Sequence, residues 1–180
     1  MSFYSTQRIE LKCRTPRQST GPLVEDAALS IDFGPAELQS VTSSTDFVTA
    51  KIQVAFEVDP EFGIESSCFH GFTDLYGYTI SRFANEIEQL RERMIGTAQL
   101  LDREGNVVLT LSISDRRFGE VALEGVLAPL KLWSREGPAG GVRVTFRGLT
   151  TEQTFLTPLI VGLRRFLEDS QIQVTETWPW

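Results

Sequence analysis

The sequence predicts an α+β fold: a mostly antiparallel β-sheet or sandwich packed by two amphipathic helices. Strict alternation of apolar and polar residues dominates the chain, which is typical of strands with one buried face. Helical spacing replaces it in only two segments, at about 79–95 and 157–169. A parallel doubly wound sheet would need more helices. The length of 180 residues suits one domain, 1–180, with a strand-rich N-terminal half and a strand–helix C-terminal half.

The N-terminal half reads as a series of strands, each with one apolar row. The alternation is clear over residues 8–14 and 29–33. The longest row is formed by Val48, Ala50, Ile52, Val54, Phe56 and Val58. We expect the next strand to place Cys68, His70 and Phe72 on its inner face.

The C-terminal half begins with a helix whose apolar residues recur at steps of three and four and which Gly96 should cap in the left-handed conformation. A hairpin with its turn at residues 102–105 follows, and two more strands lead to the final helix. Thr157 and Pro158 there have the pattern of an N-cap and a first-turn proline.

Charge is distributed unevenly along the chain. The net charge is −7, and residues 21–92 hold three basic and thirteen acidic side chains, which gives 3 − 13 = −10. A nucleic-acid-binding protein concentrates Lys and Arg, so this distribution argues against that class. It is typical either of solubilising loops or of a surface that binds a basic protein. For that surface the candidate residues are Glu57, Asp59, Glu61, Glu65 and Asp74.

The sequence offers few residues for catalysis or for binding a metal or cofactor. His70 is the single histidine, and Cys68 lies two residues away on the same strand face, so an enzyme using this pair is one alternative. Two interior core residues are the simpler interpretation. We predict no metal site, because Asp59, Glu61 and Glu65 lack EF-hand spacing, and no cofactor, because no glycine-rich phosphate loop precedes a helix. A further alternative is a small-molecule-binding domain whose apolar pocket is lined by the 47–58 strand, with His70 at its mouth.

Cysteine usage and hydropathy predict a cytoplasmic protein with reduced thiols. Cys13 and Cys68 are too few for a disulfide framework, the N-terminus has no signal-peptide pattern, and no stretch is apolar enough to span a bilayer. Trp178 and Trp180 end the chain as an apolar tail. We expect this tail to dock on the protein's own sheet or, alternatively, to mediate homo-oligomer or partner contact.

Residues 79–168 combine a helix ending near a glycine, two short strand motifs and a motif that opens the last helix. The residues of these motifs are Gly96, Ala98 and Leu100, then Gly119, Val121, Leu123 and Gly125, and finally Gln153, Thr154, Phe155 and Leu156. In this combination residues 79–168 resemble the WapI-like group of immunity proteins and their uncharacterised relatives.

The resemblance implies a cytoplasmic immunity protein that binds and neutralises a toxin domain, often a nuclease with a basic cleft. The acidic segment would be the counterpart of that cleft. Independently of the resemblance, Gln153 and Thr154 have the chemistry to cap or brace the start of the last helix, with Phe155 and Leu156 anchoring it in the core.

Overall fold

The computed structural model describes residues 7–13, 26–33, 47–57, 67–128, 133–134, 137–138 and 143–170. Two four-stranded antiparallel sheets and two α-helices make up most of these residues. The predicted α+β class with antiparallel sheets and two helices is therefore confirmed. The predicted Trp178/Trp180 contact lies outside the described residues.

The first sheet is a meander in which each strand pairs with the next. Its strands are β1 (Gln7–Cys13), β2 (Asp26–Phe33), β3 (Phe47–Glu57) and β4 (Ser67–Tyr76). The alternating rows predicted for the first three strands are the buried ones, as in β1, where every second residue from Ile9 to Cys13 is buried. The apolar row of β3 is likewise buried at Ala50, Ile52 and Val54.

The second sheet contains the predicted hairpin. β5 (Thr97–Leu101), β6 (Val107–Asp115) and β7 (Glu120–Leu127) are followed by two short paired strands, β8 (Trp133–Ser134) and β9 (Gly137–Pro138), and then by β10 (Val144–Glu152). The sheet order is β10-β7-β6-β5. The β5–β6 turn is held by the Asp102 carboxylate, which accepts hydrogen bonds from the N–H groups of Glu104 and Asn106.

The two helices, α1 (Gly77–Arg93) and α2 (Leu156–Asp169), pack against each other in antiparallel orientation. Arg164 of α2 binds the Glu88 carboxylate of α1 through both guanidinium nitrogens, at 2.6 and 3.3 Å. The apolar stripe of each helix faces the core that both sheets share. The Phe166 ring of α2 stacks on the Phe33 ring of β2, with 3.9 Å between centroids.

The helix ends differ from the predicted ones. α1 ends at Arg93, and Met94 rather than Gly96 is its left-handed cap, with φ 51° and its N–H bonded to the Leu90 carbonyl. α2 follows a 3-10 turn at Gln153–Phe155 and begins at Leu156, so Thr157 is its second residue and not its N-cap. Leu156 is buried as expected, whereas Phe155 is 38% exposed and anchors little.

Hydrogen bonds join the two sheets at two places. At β4 the Phe72 N–H donates to the carbonyl of Ala128, which follows β7, and the Asp74 carbonyl accepts from the N–H of Arg103 in the β5–β6 turn, both at 2.8 Å. At β1 the Lys12 carbonyl accepts from the Thr151 hydroxyl of β10 at 2.6 Å. The buried residues of both sheets and both helices form one core cluster.

Candidate protein-binding end

The predicted orientation of Cys68, His70 and Phe72 is wrong. Backbone register pairs Cys68 with Ala55, and His70 with Gln53, on the face opposite the buried row of β3. Cys68 and His70 are accordingly exposed. Both rows of β4 contain apolar residues, so alternation alone does not determine which row faces inward. The inward row instead contains Gly71 and the fully buried Leu75.

Cys68 and His70 do not form a catalytic arrangement with the other residues that the structure describes. The imidazole ring packs edge-on against Phe72, with 5.7 Å between centroids, and no hydrogen bond joins it to Cys68 or to an orienting carboxylate among the described residues. His70 also lies on the opposite face from the β3 apolar row. It therefore cannot stand at the mouth of a pocket lined by that row.

In the part of the chain that the structure describes, no group of three or more His, Cys, Asp or Glu side chains is arranged to hold a metal ion. No helix in that part is long and apolar enough to cross a membrane.

The predicted acidic residues do not form one cluster. Asp74 pairs with Thr49, whereas Glu57 ends β3 eight residues further on, so roughly 26 Å of strand separates the two positions. The half-buried Asp74 carboxylate accepts a 2.7 Å hydrogen bond from the Thr49 hydroxyl. Asp59, Glu61, Glu65 and the side chain of Glu57 lie outside what the structure describes.

Two acidic residues are paired in the backbone register at the end of the first sheet where β3 terminates. The register places Asp26, the first residue of β2, opposite Glu57, the last residue of β3. We call Asp26 and Glu57 the acidic end; Asp59, Glu61 and Glu65 follow it in the sequence. Like charges placed opposite each other destabilise an antiparallel pair, so this backbone arrangement has an unfavourable electrostatic term.

Several other acids of residues 21–92 are neutralised within the chain. Four carboxylates on β2 and α1 have an arginine within ion-pair distance. The pairs are Asp32–Arg8 at 3.8 Å, Glu86–Arg82 at 3.4 Å, Glu88–Arg164 at 2.6 Å and Glu92–Arg91 at 3.6 Å. The negative charge of these carboxylates is thus paired within the chain.

Gln153 connects three segments of the second half. Its backbone N–H donates to the Gly119 carbonyl at 2.8 Å, and its side-chain amide donates to the Arg91 carbonyl in the last turn of α1. That carbonyl belongs to the group that a helix C-terminus leaves without intrahelical partners. We call this contact the Gln153 junction. The expected bracing role of Gln153 is therefore present, but it reaches the end of the other helix, which sequence spacing could not indicate.

A shallow cleft of about 370 Å³ opens at the Gln153 junction. It is lined by Arg91, Glu92, Gln153, Thr154 and Thr157. The Arg91 guanidinium already donates to the Thr157 hydroxyl at 3.1 Å and lies 3.6 Å from the Glu92 carboxylate. The Arg91 guanidinium in the cleft is therefore already engaged by residues of the two helices.

The β6–β7 turn beside the junction presents an aromatic side chain to solvent. Phe118 is 77% exposed, the largest exposure among the large hydrophobic residues described. The Asp115 carboxylate accepts the Arg117 N–H at 2.8 Å, and Gly119 follows with φ 66°, a conformation that favours glycine. We call Arg116, Arg117 and Phe118 the Phe118 turn. The sequence signal for this feature is an aromatic residue in a polar turn between two strands.

The strand β10 connects the β6–β7 turn with the first sheet. Val121, three residues after Phe118, pairs with Thr151, and the Thr151 hydroxyl donates to the Lys12 carbonyl of β1. The acidic end is the candidate functional site. No family model matches the chain, and neither the curated proteins nor the solved structures provide a match.

Proposed function

We propose that this protein is a non-catalytic domain that binds a basic protein partner at the acidic end. The observation that carries the proposal is the register of β2 and β3, which sets Asp26 opposite Glu57. Folding alone gains nothing from two adjacent like charges, whereas a partner bringing Lys or Arg would convert their repulsion into attraction.

The resemblance of residues 79–168 to WapI-like immunity proteins supports one partner class. Such proteins neutralise toxin domains, and a nuclease toxin carries a basic cleft complementary to an acidic surface. A cytoplasmic immunity protein is accordingly the specific form of this proposal. The excess of 3 − 13 = −10 charges over residues 21–92 would accelerate the encounter with such a partner by electrostatic steering.

The proposal expects a gene for a toxin domain next to this one, and the test is co-expression with that domain. The test variant combines Glu57→Gln, Asp59→Asn, Glu61→Gln and Glu65→Gln. A control variant makes the same change of four charges away from the acidic end, through Glu10→Gln, Glu124→Gln, Glu168→Gln and Asp169→Asn. We expect wild type and control to restore growth and the test variant to lose protection.

Binding of the purified pair should follow the same order. The dissociation constant should rise at least tenfold for the test variant and should rise steeply between about 50 and 300 mM NaCl, because salt screens exposed charges. Equal protection by both variants would refute the acidic end as the binding site.

A further inference from the structure

We propose that the outer edge of β4 is a dimerisation surface, at which residues 67–71 of two copies of this chain pair as antiparallel strands. We call residues 67–71 the free edge. The pairing would join the four-stranded first sheets of the two copies into one continuous sheet. The proposal does not depend on which protein the acidic end binds.

The backbone groups of the free edge are available for pairing. The Phe72 N–H donates to the carbonyl of Ala128, a residue outside the first sheet, so this N–H points away from β3. The register of β3 and β4 is continuous, and in an antiparallel pair the same orientation recurs at every second residue. The N–H and C=O groups of Cys68 and His70 therefore also point away from β3, and no residue in the described ranges bonds to them on that side.

The other sheet edges in the described part of the chain are engaged. At β5 the Gln99 N–H donates to the Glu86 carboxylate of α1 at 2.8 Å. β1 and β10 meet at the hydrogen bond from Thr151 to Lys12. The first half of β4 thus differs from these edges, because its outward N–H and C=O groups form a template for another strand.

The side chains of the free edge do not protect it from such pairing. Cys68 and His70 are exposed on the outer face of the sheet, and Phe69 on the opposite face is 44% exposed. The sequence Ser-Cys-Phe-His-Gly contains no carboxylate, lysine, arginine or proline. Natural proteins usually place such residues on exposed edge strands to prevent association.

A second copy matches the free edge in hydrogen-bonding pattern and in charge. With a two-fold axis at Phe69, Cys68 of each copy lies opposite His70 of the other, and each of these pairs exchanges two backbone hydrogen bonds. Two copies of a chain with net charge −7 repel each other. An edge without charged side chains is where they can approach with the least repulsion.

The length of the free edge determines the register of the dimer. β4 begins at Ser67, and Ala128 occupies the edge from Phe72 onward, so the pairing is confined to residues 67–71, whose centre is Phe69. The two Phe69 residues then form a non-hydrogen-bonded pair, with Cα atoms about 4.5 Å apart and side chains close together. Contact between the two rings removes their exposed apolar surface from water.

Sedimentation velocity of the full-length chain, in the presence of a reducing agent, tests the proposal without any partner. The pairing is short beside interfaces of about 20–30 residues a side, so we expect a weak dimer with a dissociation constant of about 10–100 μM. The dimer should persist in about 500 mM NaCl, because its contacts include no ion pairs.

Two substitutions at the free edge should each raise the dimer dissociation constant at least tenfold. His70→Pro removes an N–H that β3 does not use, and Phe69→Asp sets two carboxylates opposite each other. Phe118→Asp makes the same change at another exposed aromatic residue and is the matched control, which should leave the dissociation constant unchanged. Circular dichroism checks that each variant is folded.

Cysteine cross-linking tests the register and also decides the matter if Phe69→Asp does not fold. All cross-linking variants carry Cys68→Ala, and Cys13 is buried. Phe69→Cys places two thiols on directly opposed residues, at a Cα separation of about 4.5 Å that a disulfide can span, so mild oxidation should give a covalent dimer. His70→Cys, whose two copies are not opposed, and Val107→Cys, an exposed position on β6, should cross-link at least tenfold more slowly.

Three results would overturn the proposal. A chain that stays monomeric at about 200 μM would leave the free edge to an extended segment of another protein. Equal cross-linking at positions 69, 70 and 107 would indicate random collision. A dimer that withstands both edge substitutions, including one that is lost only when residues 171–180 are removed, would assign the contact elsewhere, in the latter case to the Trp178/Trp180 tail.

Discussion

The two ends of the first sheet differ in what lies opposite their acidic residues. At one end Asp74 accepts two hydrogen bonds, one at its carboxylate from Thr49 and one at its carbonyl from Arg103, whose guanidinium lies 4.5 Å from the centre of the Phe47 ring. We call this the locked end. At the acidic end, Asp26 and Glu57 oppose each other. Groups satisfied within the chain stabilise the fold, whereas like charges on directly opposed residues destabilise it.

The largest expected effect concerns the contact between β4 of the first sheet and Ala128, the residue that follows β7 of the second sheet. A Cβ atom on Gly71 would lie 2.6 Å from both the backbone nitrogen and the carbonyl oxygen of Ala128. Backbone atoms cannot move aside as a flexible side chain can, so Gly71→Ala should lower the free energy of unfolding by about 3 kcal/mol. Urea unfolding followed by circular dichroism measures the change.

Cys68→Ala is the control for that substitution. It alters an exposed residue of the same strand and should change stability by less than about 0.5 kcal/mol. If Gly71→Ala matched this control, the close approach of β4 to Ala128 would not be needed for the fold.

A smaller loss is expected at the Gln153 junction. Gln153→Ala removes the amide that binds the Arg91 carbonyl and should lower the free energy of unfolding by about 1 to 2 kcal/mol. The nearly isosteric Gln153→Glu should lose a similar amount, because a carboxylate cannot donate this hydrogen bond. Thr154→Ala, an exposed neighbour, should be near neutral; equal losses at both positions would show that the junction is not specific.

The sequence predicted what depends on local pattern and missed what depends on register. Alternation along β1, β2 and β3 sets which row is buried, because one phase carries nearly all the apolar residues. In β4 both phases contain apolar residues, so the inner row could not be chosen before the pairing of His70 with Gln53 was known. The fold class depends only on the local pattern of apolar and polar residues.

The candidate site depended mostly on contacts between distant segments. Asp74 and Glu57 share a sign of charge and lie in neighbouring strands, yet the antiparallel pairing puts them at different ends. The closeness of Gln153 to Arg91, and of the Phe118 turn to β1, follows from how the two sheets are joined. No spacing rule along the chain encodes those contacts.

The free energy of unfolding should depend on pH through Cys13, whose thiol is buried in the core. Burial raises the pKa of the Cys13 thiol from 9.0 to about 12. The folded state therefore favours the protonated thiol, so this contribution to stability is complete below about pH 9 and is lost as the pH rises from 9 towards 12. Wild type should lose roughly 1 kcal/mol more than Cys13→Ala between pH 9 and 10.

Urea unfolding of both proteins at pH 8, 9 and 10 measures this difference. Parallel pH profiles would mean that the Cys13 thiol is accessible to water and that the core beneath the acidic end is open. Cys68, exposed on the outer face, allows a check by thiol labelling at pH 8: it should react promptly, and Cys13 only after unfolding.

The smallest expected effects are changes in the free energy of unfolding that have opposite signs at the two ends of the first sheet. Glu57→Gln removes one charge of an opposed like pair and should raise the free energy of unfolding by about 0.3 kcal/mol in the absence of any partner. Asp74→Asn makes the same chemical change at the locked end and should lower it by about 0.5 kcal/mol, because the hydrogen bond from Thr49 loses its charged acceptor. Thermal unfolding of both variants in low salt resolves the signs. Destabilisation by both would mean that Glu57 is satisfied within the chain, and the acidic end would then lose the electrostatic argument for a partner.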